Sequence, residues 1–243
     1  MKLIIVRHGD PDYVTDSLTE KGRREAEALA KRVKNWDMAG CYVSPLGRAK
    51  ETCAICLKDL DIEATVFDWL QEFYFRILDP ETGESRIAWD FMPRYFCPND
   101  ELHDRNIWPD SDVMRTGQLR QHFDAVTKEF DKFLSGLGYE RMEGGVYRVR
   151  EHNDGNYVFF CHFGLMSVLT GYLTGIAAPA LWQGFFCAPT GITVIGTEER
   201  EPGYAAFRVQ YFGDASHLAD EGEPLSASGY FTNMFDDRKG VLS

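Results

Sequence analysis

"LIIVRHGDPDY" spans Leu3–Tyr13 and sets the reading of the whole chain. Residues 2–6, KLIIV, read as a buried β-strand, because Leu3 to Val6 form an unbroken apolar run. The strand ends in Arg7 and His8, and then Gly9, Asp10 and Pro11 force a turn. In an open parallel sheet, ligands bind beyond the carboxyl ends of the strands. An arginine and a histidine delivered to that end are therefore candidates for chemistry.

Outward from this strand, strand and helix signals alternate. LTEKGRREAEALAKRVKNW (18–36) carries Leu18, Ala26, Leu29, Ala30 and Val33 at helical spacing, with Thr19 as the expected N-cap. CYV (41–43) is a short strand, and Ser44-Pro45 reads as a capping residue followed by proline at the start of the next helix. ATVF (64–67) gives a third strand. Helices of this length between strands imply right-handed crossovers, hence an α/β fold of three layers around a mostly parallel central sheet.

Residues 68–111 break the rhythm with Trp69, Phe73, Tyr74, Phe75, Trp89, Phe91, Tyr95, Phe96 and Trp108. They read as an aromatic-rich cap insertion within one domain, reaching to about residue 117. A helix is expected over about 112–137, and a hairpin over 147–160 around Asn153-Asp154-Gly155. An apolar helix (165–175) and two strands (191–197 and 204–212) follow, and the tail from about 213 to 243 reads as polar loop.

The net charge of −12 (38 acidic against 26 basic residues) excludes affinity for nucleic acid or anionic membrane built on a basic surface. A small anion needs only local positive charge. Residues 2–6 are too short for the core of a secretion signal, and no apolar run reaches the ~20 residues of a membrane span. The six cysteines fall in apolar stretches, as expected of reduced, buried thiols in a cytoplasmic protein. Cys53 and Cys56 form a C-x-x-C, but no second pair stands at zinc spacing, so no metal is expected.

Three turns on one sheet edge should carry the chemistry: Arg7-His8, Ser44 to Arg48, and Cys161-His162. Two of them open helices, whose free N–H groups favour an anion, and phosphate is the natural ligand. "VRHGDP" (6–11), "LTEKGRREAEALAKRV", "SPLGRAKET" (44–52) and "CHFG" (161–164), in this order and spacing, resemble the histidine phosphatase superfamily of phosphoglycerate-mutase-like fold.

The resemblance implies that His8 is a nucleophile that becomes phosphorylated, that Arg7, Arg48 and His162 clamp the phosphoryl oxygens, and that Glu72 in "WLQEF" donates the proton. Asp68 and Glu81 stand as alternatives for the last role. Gly9, Tyr13 and Phe163 are expected at the substrate. His8 should attack as a neutral imidazole, whereas a protonated His162 would serve best, and Trp69, Phe73 and Phe75 could raise the Glu72 pKa. Acidic cap residues (Glu81, Glu84, Asp100, Glu101) disfavour polyanionic substrates.

The expected activity is metal-independent hydrolysis of a small phosphate ester without a cofactor. The alternatives are a phosphoglycerate-type mutase and a catalytically silent protein that binds phosphorylated ligands. A flat apolar edge strand could pair with a copy of itself in a homodimer.

Overall fold

A computed structural model describes residues 1–229. The apolar run forms β1 (Lys2–Arg7), whose alternating side chains enter two separate cores. A ribbon of β2 (Pro11–Asp12) and β3 (Ser17–Leu18) leads to α1 (Glu20–Val33), then β4 (Gly40–Val43), α2 (Gly47–Leu57) and β5 (Thr65–Val66). The cap holds β6 (Arg76–Leu78), β7 (Ser85–Ile87), α3 (Pro93–Phe96), α4 (Asp100–His103) and α5 (Asp112–Arg115). The chain continues through α6 (Leu119–Gly136), β8 (Tyr139–Arg141), β9 (Tyr147–Val149), β10 (Asn156–Cys161), α7 (Phe163–Thr174) and α8 (Ala178–Gly184). The last elements among the described residues are β11 (Ile192–Glu201), β12 (Tyr204–Asp214) and α9 (Ser216–Asp220).

Among the described residues, eight strands form the central sheet in the order β5-β4-β10-β1-β11-β12-β9-β8. The sheet is mixed. β5, β4, β10 and β1 run parallel, and every pairing from β1 through β11 to β8 is antiparallel. The parallel half carries the turns that hold Arg7-His8, Ser44 to Arg48 and His162. Ile4, Val6, Val158 and Phe160 pack with Leu29 of α1 and Ala49 and Cys53 of α2 on one face. Leu3, Ile5 and Phe159 pack with Phe130, Leu165 and Leu169 on the other, giving the helix–sheet–helix layering.

Four local readings are corrected. No hairpin joins β9 to β10, because Asn153 Oδ1 accepts from Gly155 N (2.8 Å) and turns the chain away. β10 then lies between β4 and β1, as befits a strand whose last five residues are all buried. The helix expected over 112–137 is split into α5 and α6. A side chain at Gly117 would meet Arg76 O at 2.2 Å, and Gln118 is left-handed (φ 56°), so a continuous helix cannot pass this contact with β6.

Ser44 is not an N-cap. α2 begins at Gly47 behind Leu46; the Ser44 hydroxyl accepts from Leu46 N (3.3 Å), before the helix, and bonds to His162 Nε2. Finally, the tail up to residue 229 is built into the fold. α9 follows β12, Asp214 pairs with Arg32 (2.7 Å), and Glu223 pairs with Lys21 and Arg24 of α1 (2.8 Å each). Attraction between a polar tail and the basic face of α1 is a tertiary effect that hydrophobic patterning does not register. Residues 230–243 of the expected tail lie outside the described residues.

The cap aromatics are chiefly packing residues. Phe73, Phe91, Phe96 and Trp108 are buried in the same core as Trp182 of α8, with Phe73 stacked on Trp182 at 5.8 Å and Trp108 edge-on to it at 5.4 Å. The cap is thus continuous with the main core. Five of the cysteines are buried free thiols, whereas Cys97 is exposed, at a turn in the cap.

Candidate active site

Strand register assembles the site. Arg7 lies opposite Cys161 in the parallel β1–β10 pairing, so the residues that follow, His8 and His162, leave the sheet side by side. Their ring centroids are 5.1 Å apart. Val43 pairs with Phe160, which places Ser44 next in line. Gly9 and Gly22 allow the turn after β1 to lie on α1: a side chain would meet Gly22 O at 2.6 Å from Gly9, or Asp10 O at 2.2 Å from Gly22.

The His8 ring is fixed in one tautomer. Its Nδ1 donates to Gly9 O (2.7 Å), because a carbonyl can only accept, and this leaves the lone pair on Nε2. Arg48 Nε donates to that nitrogen at 3.3 Å. Burial foremost, and then the Arg7 charge, hold the His8 pKa well below the usual histidine value. His8 is therefore a neutral imidazole whose nucleophilic nitrogen faces a guanidinium.

His162 is fully buried, with Ser44 Oγ 2.8 Å from its Nε2 and Nδ1 unpartnered among the described residues. Its pKa is also well below the ordinary value, from burial first and then from His8, Arg48 and Arg7. The expectation of a protonated His162 is corrected for the protein's own field. Two arginines and a second imidazole, all desolvated, oppose another positive charge, and only a bound anion would reverse that balance.

The two arginines are buried and held by different devices. Arg7 is 4% exposed and donates from Nη1 to Cys187 O (2.5 Å) and Ser228 O (3.2 Å), while its buried Nε has no partner among the described residues. Arg48, 8% exposed, pairs through Nη1 with Asp16, which also accepts from Gly47 N (2.6 Å) and so caps α2 in place of Ser44. Asp16 takes up a left-handed conformation to do this (φ 50°). Sequence reading missed Asp16, and a D-S pair in a turn offers no periodic signal that could reveal its partner.

The Glu72 carboxylate accepts from Phe73 N (2.8 Å), Leu165 N (3.0 Å) and Gly164 N (3.3 Å), the last two at the start of α7. Those N–H groups and Arg48 favour the carboxylate, but burial is the larger effect and raises its pKa. Trp89 and Glu72 both crowd Gly164, where a side chain would lie 2.0 Å from the Trp89 ring and 2.7 Å from Glu72 Oε1. Asp68 and Glu81 are exposed, and Glu81 N donates to Asp79. Of the three acids, only Glu72 has its carboxylate bound at the start of α7, beside His162.

The remaining expected contacts divide. Gly9 N donates to Thr52 Oγ1 (3.0 Å), so it is spent within the protein and is not a free donor for a ligand. Tyr13 is 68% exposed at the rim, with the Arg48 guanidinium 5.5 Å from its ring centre. Phe163 is the half-buried first residue of α7. Glu81, Glu84, Asp100 and Glu101 are all exposed on the cap. Beneath the turn, buried Glu25 accepts from Asp10 N (2.7 Å), and the 223–229 segment adds a bond from Ser226 Oγ to Asp10.

Chemically, the arrangement offers a neutral nucleophile, two guanidinium anion ligands and a carboxyl group of raised pKa. Among the described residues no cluster of three or more His, Cys, Asp or Glu could hold a metal ion.

Comparison with known proteins finds relatives of the same fold. Residues 3–91 match the family model of the histidine phosphatase superfamily (branch 1). The adenosylcobalamin/alpha-ribazole phosphatase of Salmonella typhi is 26% identical over 201 residues, 75% of this chain and 84% of that protein. Phosphoserine phosphatase from Entamoeba histolytica, solved as a mutant with phosphoserine, superposes with a TM-score of 0.58 at 20% identity. That alignment covers 89% of this chain and 98% of the other. The mycobacterial glucosyl-3-phosphoglycerate phosphatase with inorganic phosphate gives 0.58 at 18% identity, with the same coverage.

Proposed function

We propose that the chain, whose residues 3–91 match the model of the histidine phosphatase superfamily, hydrolyses a small phosphate monoester, without a metal, through a phosphohistidine on His8. The observation that carries the reading is the His8 tautomer: Nδ1 is committed to Gly9 O, and Nε2 is presented to Arg48.

In this reading Arg7 and Arg48 bind the equatorial phosphoryl oxygens, with His162 as a third ligand. Guanidinium forks match phosphate geometry and keep their charge, so they can neutralise the oxygens in the transition state. His8 Nε2 attacks phosphorus as the ester oxygen leaves, and Glu72 gives that oxygen its proton. Water then attacks the phosphohistidine, Glu72 takes the water's proton, and inorganic phosphate departs. A carboxyl of raised pKa suits both steps, since it can be protonated for the first and accept a proton in the second.

The substrate we infer is small and carries few charges, because the cap presents exposed Glu81, Glu84, Asp100 and Glu101 to solvent. Free thiols are consistent with a reducing cytoplasm, and no helix among the described residues is long and apolar enough to cross a membrane.

Rapid quench of the enzyme and a radiolabelled phosphate ester into alkaline detergent tests the mechanism. The expected result is label on His8, with a base-stable, acid-labile bond, and none in His8→Ala. Hydrolysis of p-nitrophenyl phosphate by pure His8→Ala at the native rate would overturn it.

A further inference from the structure

A cavity of ≈ 430 Å³ lies at the other end of α7 from His162, bounded by α6, α7, the turn after β8 and the cap. At ~1.5 Å per residue, the 12 residues of α7 put its lining residues Gly171, Tyr172 and Gly175 some ~15 Å from the catalytic turn. It is a separate site. A volume in this range suits a ligand of one or two rings.

Three arginines enter it on a protein of net charge −12. Arg120 is already spent, donating to Asp110 from Nε (2.9 Å) and Nη2 (2.6 Å) and to Asn106 O (2.8 Å). Arg141 is different. Its guanidinium lies 3.7 Å from the centre of the Tyr172 ring, and Nη1 donates to Tyr147 OH (2.6 Å). Tyr172 is itself anchored by a bond from its hydroxyl to Asp131 (2.6 Å). Arg141 is thus pre-positioned, with donors still unspent. Neither Arg141 nor exposed Arg105 has an ion pair among the described residues.

Beneath the arginines, Trp108, Phe123 and Val168 give the cavity an apolar floor. Two guanidiniums without an ion pair among the described residues, Arg141 meeting the Asp131 charge only at longer range, ask for an anionic group on an apolar body. Glu143 also lines the cavity and opposes a dianion, which favours a carboxylate over a phosphate. We propose that this cavity binds a small organic acid, its carboxylate on Arg141 and Arg105 and its flat apolar body on Trp108 and Phe123.

The test uses 2-naphthoate as the probe, titrated calorimetrically into the full chain, with ¹⁵N shifts of Gly144, Gly145 and Tyr172 followed in parallel. Vanadate saturates the catalytic site throughout one arm. The expected result is binding that vanadate does not displace, weakened about tenfold in Arg141→Gln and severalfold in Arg105→Gln. Arg105 is exposed and makes no hydrogen bond or ion pair among the described residues, so that variant remains folded even if Arg141→Gln does not. No binding at millimolar naphthoate, displacement by vanadate, or unchanged affinity in Arg105→Gln overturns the site. Tighter binding of 2-naphthylphosphonate than of 2-naphthoate overturns the carboxylate assignment.

Discussion

Ser44 Oγ lies 2.8 Å from His162 Nε2, joining the end of β4 to the end of β10 inside the site. Because His162 is fully buried and its other ring nitrogen has no partner among the described residues, this is the bond that orients the ring. Ser44→Ala leaves the imidazole without it. A stranded buried polar group costs about 1–3 kcal/mol, and we expect kcat/KM to fall roughly ten- to a hundredfold with the fold intact. Ser44→Thr, which keeps the hydroxyl, should recover part of the loss. Steady-state kinetics on p-nitrophenyl phosphate with circular dichroism as control checks both.

Asp16 positions Arg48 and caps α2 with one carboxylate. Asp16→Asn keeps an acceptor for Gly47 N and tolerates the positive φ, but loses the charge. Asp16→Ala loses both. Expected kcat/KM falls about tenfold for Ala and less for Asn, the difference between them reporting how much capping contributes. Equal activity of all three proteins would show that Arg48 is held without Asp16.

Glu25, buried beneath the Asp10 turn, has its pKa raised to about 7, chiefly by burial. A carboxyl whose folded pKa exceeds its unfolded one binds protons on folding. Its contribution to stability is therefore greatest below the unfolded value of 4.5 and is lost as pH rises through 7. The shift corresponds to about 3 kcal/mol at most. Glu25→Gln should abolish this term, so the difference in ΔG of unfolding between pH 5 and pH 8 should shrink relative to wild type in urea titrations.

Glu72 carries a raised pKa, again mainly from burial. If it protonates the leaving group, activity requires its acid form and falls as pH rises through a pKa above the ordinary carboxyl range. Glu72→Gln should lower kcat with poor-leaving-group esters far more than with p-nitrophenyl phosphate, and should remove that alkaline limb. A pH–rate profile for both ester types reads this directly. Identical profiles in wild type and Glu72→Gln would exclude the role.

What the residue order determined by itself was the local and topological frame. An unbroken apolar run ending in Arg7-His8, a Thr19-capped amphipathic helix and the apolar strand before His162 need only short-range physics. The carboxyl-edge rule then predicts that the turns converge. Partner choice was decided by the tertiary structure. Ser44 carries a helix-capping signature, yet its hydroxyl is drawn to His162 because a buried imidazole has no water to bond. The Asp154-Gly155 hairpin signal lost to the burial of β10 between β4 and β1. The polar tail folds back because Glu223 meets Lys21 and Arg24, some 200 residues earlier. Such bonds depend on which groups the finished fold desolvates and brings together, and no spacing along the chain encodes that.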